Sequence, residues 1–185
     1  VEAASLTMTA ETGSVEASRL TTTVADQASV EAGDAVELNN ADLTVGALTA
    51  TATSGDLSVK DAKINATKGG VTLTAKAADI DASGVNLTAV GPAKLTAGQN
   101  LKLTPSGDAV ASVTAKSLSA TAGGALDALR LEVKVDEASS FRSNGLLTLT
   151  DANVSGGSLR AEGDAGVEGS RIKVDVTGNG YNEGD

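Results

Sequence analysis

Short triplets in which two apolar residues flank a polar one recur along the whole chain. Early examples are Val15-Glu16-Ala17, Val30-Glu31-Ala32, Val36-Glu37-Leu38, Leu43-Thr44-Val45, Leu57-Ser58-Val59 and Ile64-Asn65-Ala66. The pattern continues through Val71-Thr72-Leu73, Ile80-Asp81-Ala82, Leu101-Lys102-Leu103 and Leu147-Thr148-Leu149. Strict alternation is the period of a strand with one buried face. Gly, Asn, Asp and Ser fill the gaps, and these residues turn a backbone at low cost. The triplets begin roughly seven residues apart, which is too close for hairpins of ordinary strand length.

A longer repeat sits above the triplets. Sliding residues 33–53 by 21 aligns Val36 with Leu57, Leu38 with Val59, Leu43 with Ile64, Ala50 with Val71 and Ala52 with Leu73. A further slide by 23 aligns Leu57 with Ile80 and Ile64 with Leu87. Leu95 with Leu118 and Ala97 with Ala120 also repeat at 23, and Leu126 with Leu147 at 21. Self-similarity at such a period marks a solenoid. The expected fold is therefore all-β, a parallel β-helix of about eight coils of 21–23 residues with three short strands each. The repeat array is expected over residues 1–177, with a fraying or capping tail at 178–185. Pro105-Ser106-Gly107-Asp108 reads as a turn that lengthens one corner.

Composition becomes intelligible on this fold. The chain of 185 residues holds 32 Ala, 18 Val, 19 Leu and 3 Ile, with one Phe, one Tyr and no Trp. Leu, Ile, Val and Phe together reach only 22%, close to the range of disordered chains, so residue order has to decide. The matched columns decide for a thin, regular bore in which Val, Leu and Ala fit and large aromatics do not. Phe141 is expected to fill a wider point of that bore. Thr, with 21 copies, suits the outward side of a strand. A leucine-rich repeat would need a helix and a fixed Asn in each repeat, and helical repeats would need a 3.6-residue period; neither pattern is present.

Net charge is −10, which opposes general affinity for nucleic acid or anionic membranes. No apolar run approaches the ~20 residues of a membrane helix. With no Cys and no His, the chain has no disulfides, thiolate metal sites or imidazole chemistry. It opens on Val in mid-pattern, with Leu6-Thr7-Met8-Thr9 already alternating. That suggests a piece of something longer.

The segments Ala97-Gly98-Gln99-Asn100-Leu101-Lys102-Leu103-Thr104, Ser54-Gly55-Asp56-Leu57-Ser58-Val59 and Gly69-Gly70-Val71-Thr72-Leu73-Thr74-Ala75 resemble the haemagglutinin-type repeats of filamentous haemagglutinin and related two-partner-secretion exoproteins. The resemblance covers about residues 13–135 and is one of pattern. It implies a right-handed β-helical shaft outside a Gram-negative cell, one that projects an adhesive tip or a toxin. The chain departs from that family in having no secretion domain, toxin-like end or recognisable tip, so no functional motif carries over.

Candidate sites are few. Asn65-Ala66-Thr67, Asn86-Leu87-Thr88 and Asn153-Val154-Ser155 are glycosylation sequons; a Thr- and Asn-rich strand pattern also generates sequons by chance. Asn65, between inward Ile64 and Ala66, is expected on the surface. Asp79 and Asp81 share a strand face, and Asp136-Glu137 and Glu162 with Asp164 cluster similarly. Such carboxylates can bind calcium or do acid–base chemistry. Those roles need cleft-forming loops that coils of about 22 residues leave no room for, so solvated surface charge is the better reading. Lys60, Lys63, Lys68, Lys76, Lys94 and Lys102 could make a basic patch for an acidic polysaccharide. Intervening acids and the absence of aromatics weigh against it, and Lys on soluble strands explains the same residues.

The expected function is that of a non-catalytic shaft segment of a secreted, cell-surface adhesin-type exoprotein, without cofactor or metal. Its expected partners are flanking coils of the same or a longer chain, and surface glycans or receptors. A self-assembling filament subunit, joined end to end, is the alternative. A polysaccharide-binding or -cleaving β-helix is a third reading.

Overall fold

The computed structural model describes residues 2–177 and places twenty-three β-strands and no helix among them. The tail expected at 178–185, with Tyr181, lies outside the described residues. The strands pair in parallel, each with the equivalent strand one coil earlier or later. The chain is thus a parallel β-solenoid.

Each coil lays strands on three faces. In the fourth coil these are Lys63–Ala66 on the first face, Val71–Ala75 on the second and Ile80–Asp81 on the third. The third face stacks eight strands, from Val15–Glu16 to Val167–Ser170, which sets the number of complete coils at eight. Strand Lys173–Val176 begins a ninth on the first face. In two early coils the first and second faces run together as single long strands, Thr21–Ala32 and Asp42–Ala52. Each long strand bends round a corner and pairs on both faces.

Alternation drives this arrangement. Inward positions are Val, Leu, Ile and Ala, and from Val24 to Val154 almost all of them are buried. They stack in columns, as in Val36, Leu57, Ile80, Leu101, Leu126 and Leu147 on the third face. Burial of apolar area at about 25 cal/mol/Å² is thereby shared between successive coils. Phe141 is fully buried in the bore. Its column neighbours are Ala120 and Ala161, and the inward residues beside it on its own strand are Ser139 and Ser143. Small residues on every side make the room for the ring.

The corner after the third face repeats a backbone feature. Arg19, Asn40, Asp61, Arg130, Asp151 and Arg171 have φ between 49° and 60°, and Gly84 has φ 67°. Each is followed by an inward apolar residue: Leu20, Ala41, Ala62, Leu131, Ala152, Ile172 and Val85. One left-handed residue turns the chain sharply enough to start the next first-face strand. A Cβ on Gly84 would collide with the Asp61 carboxylate and lie 2.8 Å from Ser106 Cβ, so space favours glycine at this corner, where the other coils accommodate Arg, Asn or Asp. The coil that follows uses the longer turn at Pro105–Asp108 instead. Ser106 and Ala109 pair across it, and the Ser106 hydroxyl donates to Asp61 Oδ2 at 2.9 Å.

The repeat lengths differ from the sequence expectation at two corners. Ala50 pairs with Leu73 and Ala52 with Ala75, an offset of 23 where 21 was expected. The cause is the corner Thr67–Gly70, two residues longer than the turn through Gly46 and Ala47. Leu95 pairs with Ala120 and Ala97 with Ala122, an offset of 25 rather than 23, because the Pro105 turn enlarges that coil. Both slips are of two residues, so every side chain keeps its predicted facing.

Candidate functional site

With the bore filled by apolar side chains, the chemistry lies on the outside. The outward residues form columns along the axis at the parallel-ladder spacing of about 4.8 Å. On the third face one such column reads Glu16, Glu37, Ser58, Asp81, Lys102, Asp127, Thr148, Glu168. The second face carries hydroxyl-rich columns, including Thr51, Thr74, Thr96 and Thr121.

The third-face strands of coils two to four are only two residues long. A groove of about 500 Å³ there is lined by Asp34, Glu37, Asp56, Lys60, Asp81 and Lys102, among others. Asp56, Asp79 and Asp81 are already engaged. Asp56 accepts the Asp79 N–H at 3.1 Å, and Asp79 accepts the Asn100 backbone N–H at 2.8 Å and its side-chain amide at 3.0 Å. Asn100 Oδ1 in turn accepts the Ala125 N–H at 3.0 Å. This chain of side chains satisfies backbone donors at the corner that enters the third face.

Asp81 accepts both the hydroxyl and the N–H of Ser83, at 2.6 and 3.1 Å, and pairs with Lys60 at 2.9 Å. Burial raises its pKa, but the hydrogen bonds from Ser83 and Lys60 outweigh that and hold it below the ordinary Asp value. The hydrogen bond to Asp81 also raises the pKa of Lys60. Glu137 pairs with Lys116 at 3.2 Å, and Glu162 with Arg160. Among the described residues no group of three His, Cys, Asp or Glu is placed to hold a metal ion.

The six lysines do not share one surface. Lys63 stands on the first face, Lys94 on the second and Lys102 on the third. Lys60, Lys68 and Lys76 lie outside the strands, and Lys60 and Lys68 are paired with Asp81 and Asp26. A common column requires spacings of one coil, and the spacings among these lysines do not supply them.

All three sequons fall on the first face. Asn86 and Asn153 are exposed, whereas Asn65 is half-buried. Thr44 and Thr88 flank Asn65 in the adjacent coils.

Two features escaped the sequence reading. One is the column of left-handed corner residues, whose signal was a polar residue or glycine directly before an inward apolar one, about a coil apart. The other is an ion pair in that column. Arg171 donates to both oxygens of Asp151, one contact measuring 2.6 Å, and this lowers the Asp151 pKa. Arg130, one coil earlier in the column, lowers it further.

Fold and surface define the class of the protein as a parallel β-solenoid with a closed apolar bore and a polar exterior. No family model, curated protein or solved structure matches the chain.

Proposed function

We propose that the chain is a non-catalytic shaft segment of a secreted, cell-surface exoprotein, one that holds a distal binding or toxin module away from its anchor. The single observation that carries this reading is the uninterrupted stacking of inward columns through the eight coils. Parallel ladders run along the axis and resist bending, while the largest departure from a uniform coil is the longer turn at Pro105–Asp108. Asp56, Asp79 and Asp81 of the groove accept corner hydrogen bonds, which favours a structural role for them. Right-handed coiling, two-partner secretion and an adhesive role rest on the resemblance to filamentous haemagglutinin-type repeats. Binding of glycans or receptors belongs to the distal module in this reading.

An end-to-end polymer of this chain is less well supported. Seating the first coil of a second copy on the eighth, in the same columns, sets Arg19 against Arg171 and Glu16 against Glu168. The strands Glu2–Ala3 and Lys173–Val176 would also claim the same level of the first face.

Immunogold labelling of intact source cells with an antibody to the purified chain tests the proposal. Label outside an unbroken envelope is expected. Label that appears only after permeabilisation would overturn it.

A further inference from the structure

Over coils three to six the second face is the least charged side of the rod. Its eight outward residues there include one charge, Lys94; the rest are hydroxyls such as Thr49, Thr51, Thr72 and Thr74. The third-face column carries six charges in its eight positions. Towards the two ends the second face becomes charged again, with opposite signs. Glu31 in coil two and Arg142 in coil seven stand in the same outward column, and both are exposed. The neighbours of Glu31 in that column, Thr9 and Thr51, carry no charge.

This pattern is complementary to itself. A two-fold axis along the strands, between coils four and five, lays a second copy antiparallel with the two second faces together. Each coil then meets the one equally far from the opposite end. Glu31 stands against Arg142 of the second copy, and Arg142 against its Glu31. Between these contacts Thr51 meets Thr121 and Thr74 meets Thr96, whose hydroxyl has no hydrogen-bond partner within its own chain. The two Lys94 side chains flank the axis, and their stems are long enough to carry the ammonium groups to the rim. At one rim Asp26 approaches Glu137, each already paired with a lysine, Lys68 or Lys116. At the other, Glu11 approaches Asp164 in the screening of bulk solvent. Sliding one copy by a single coil sets Glu31 against Thr121 or against Glu162. A parallel pair brings Lys68 beside Lys76 twice.

Area agrees with the charge pattern. Eight strands of about five residues span about 38 Å along the axis and about 16 Å across it. Two such faces together cover roughly 1,200 Å², the lower edge of specific interfaces.

We infer that the second face is a docking surface for a second copy of this chain, packed antiparallel, with Glu31 of each copy against Arg142 of the other. The pair itself does not depend on the shaft reading. Rods rooted in one surface point the same way, so in that reading an antiparallel pair joins rods rooted in two surfaces. Cell-surface labelling tests that setting, and solution measurements on the purified chain test the pair.

Sedimentation equilibrium of the full chain is expected to show monomer and dimer and no larger species. Glu31→Arg alters both end contacts at once and sets like charges together, so the dissociation constant is expected to rise about tenfold or more. Glu31→Arg with Arg142→Glu is expected to return it to within about threefold of the parent. Circular dichroism checks that each variant is folded. The chain has no cysteine, which allows a second readout. Chains carrying Thr51→Cys and chains carrying Thr121→Cys are expected to join through a short bis-maleimide when mixed, and neither is expected to join to itself. Thr49→Cys chains mixed with Thr51→Cys chains are the combination that a parallel pair would link. A monomer up to about 1 mM would overturn the docking surface. Dimers indifferent to Glu31→Arg, or not restored by the double reversal, would overturn the assigned contact. Preferential linking of Thr49→Cys to Thr51→Cys chains would overturn the antiparallel order, and growth beyond dimers would overturn the closed pair.

Discussion

Leu57 and Val167 occupy the same inward column of the third face, five coils apart. They are similar in chemistry and identical in facing, yet one is fully buried and the other half exposed. The difference lies in the layers above and below. Leu57 is sandwiched between Val36 and Ile80, while Val167 has Leu147 on one side and no described strand on the other. A solenoid residue is therefore buried by its neighbours along the axis, and the stability of the rod is a sum of interfaces between coils.

Identical substitutions at the two positions break or uphold this comparison most directly. Leu57→Asp puts an unpaired carboxylate into the apolar bore and is expected to cost more than about 4–5 kcal/mol. That approaches the whole stability of an ordinary domain, so circular dichroism should find the central coils unfolded. Val167→Asp is expected to stay within about 0.5 kcal/mol of the parent. Equal losses at the two sites would mean that the last coil is covered in solution. Ile64→Asp and Leu87→Asp belong with Leu57→Asp, since both side chains are fully buried.

Phe141 gives the next largest effect. Truncation to Ala empties a space that Ala120, Ala161, Ser139 and Ser143 are too small to close, at a cost of about 3–5 kcal/mol. Denaturant unfolding measures it, and a loss below 1 kcal/mol would show that neighbouring coils collapse onto the vacancy. The same strand carries a weaker spot. The Ser139 hydroxyl is buried without a partner, whereas Ser143 donates to the Gly145 carbonyl at 2.9 Å. Ser139→Ala should therefore be neutral or stabilising by up to about 1 kcal/mol, and Ser143→Ala destabilising by a similar amount.

How far the fold was legible follows from the same geometry. Strand facing is written residue by residue, because polar and apolar positions alternate, and Leu57, Ile64, Leu87 and Phe141 all point where the pattern put them. Corner length is not written that way. Two extra residues at Thr67–Gly70, or the longer turn at Pro105, shift which coil partners meet while leaving every facing unchanged, so apolar matching alone accepted Ala50 with Val71 and Leu95 with Leu118. The left-handed corner was harder still, since Arg19, Arg130 and Arg171 are not residues that signal positive φ. Surface groupings were the least legible. Proximity on a solenoid follows the coil length, so Lys60 meets Asp81, 21 residues away, rather than Lys63.

Two aspartates, one in the body of the rod and one near its end, sharpen the comparison at the smallest scale. The Asp81 side chain is 24% exposed and holds Ser83 and Lys60; Asp151 pairs with Arg171 at a more open corner. Both carboxyls have folded-state pKa values below the unfolded value, which is about 3.9. A depressed carboxyl contributes stability that is present above the unfolded pKa and is lost as pH falls through the folded one. Asp81→Asn should accordingly lower Tm at neutral pH, by an amount corresponding to at most about 1 kcal/mol. The gap to the parent should close as pH drops below about 4. Asp151→Asn should follow the same direction with pH but respond differently to salt. The Debye length contracts to about 3 Å at 1 M, so the exposed Asp151–Arg171 pair should be screened more fully than the partly buried Asp81 cluster. Thermal melts of the parent and both variants, at neutral and acid pH and with and without 1 M NaCl, measure the difference. A salt-insensitive Asp151→Asn effect would place that corner in a less solvated environment than its exposure implies.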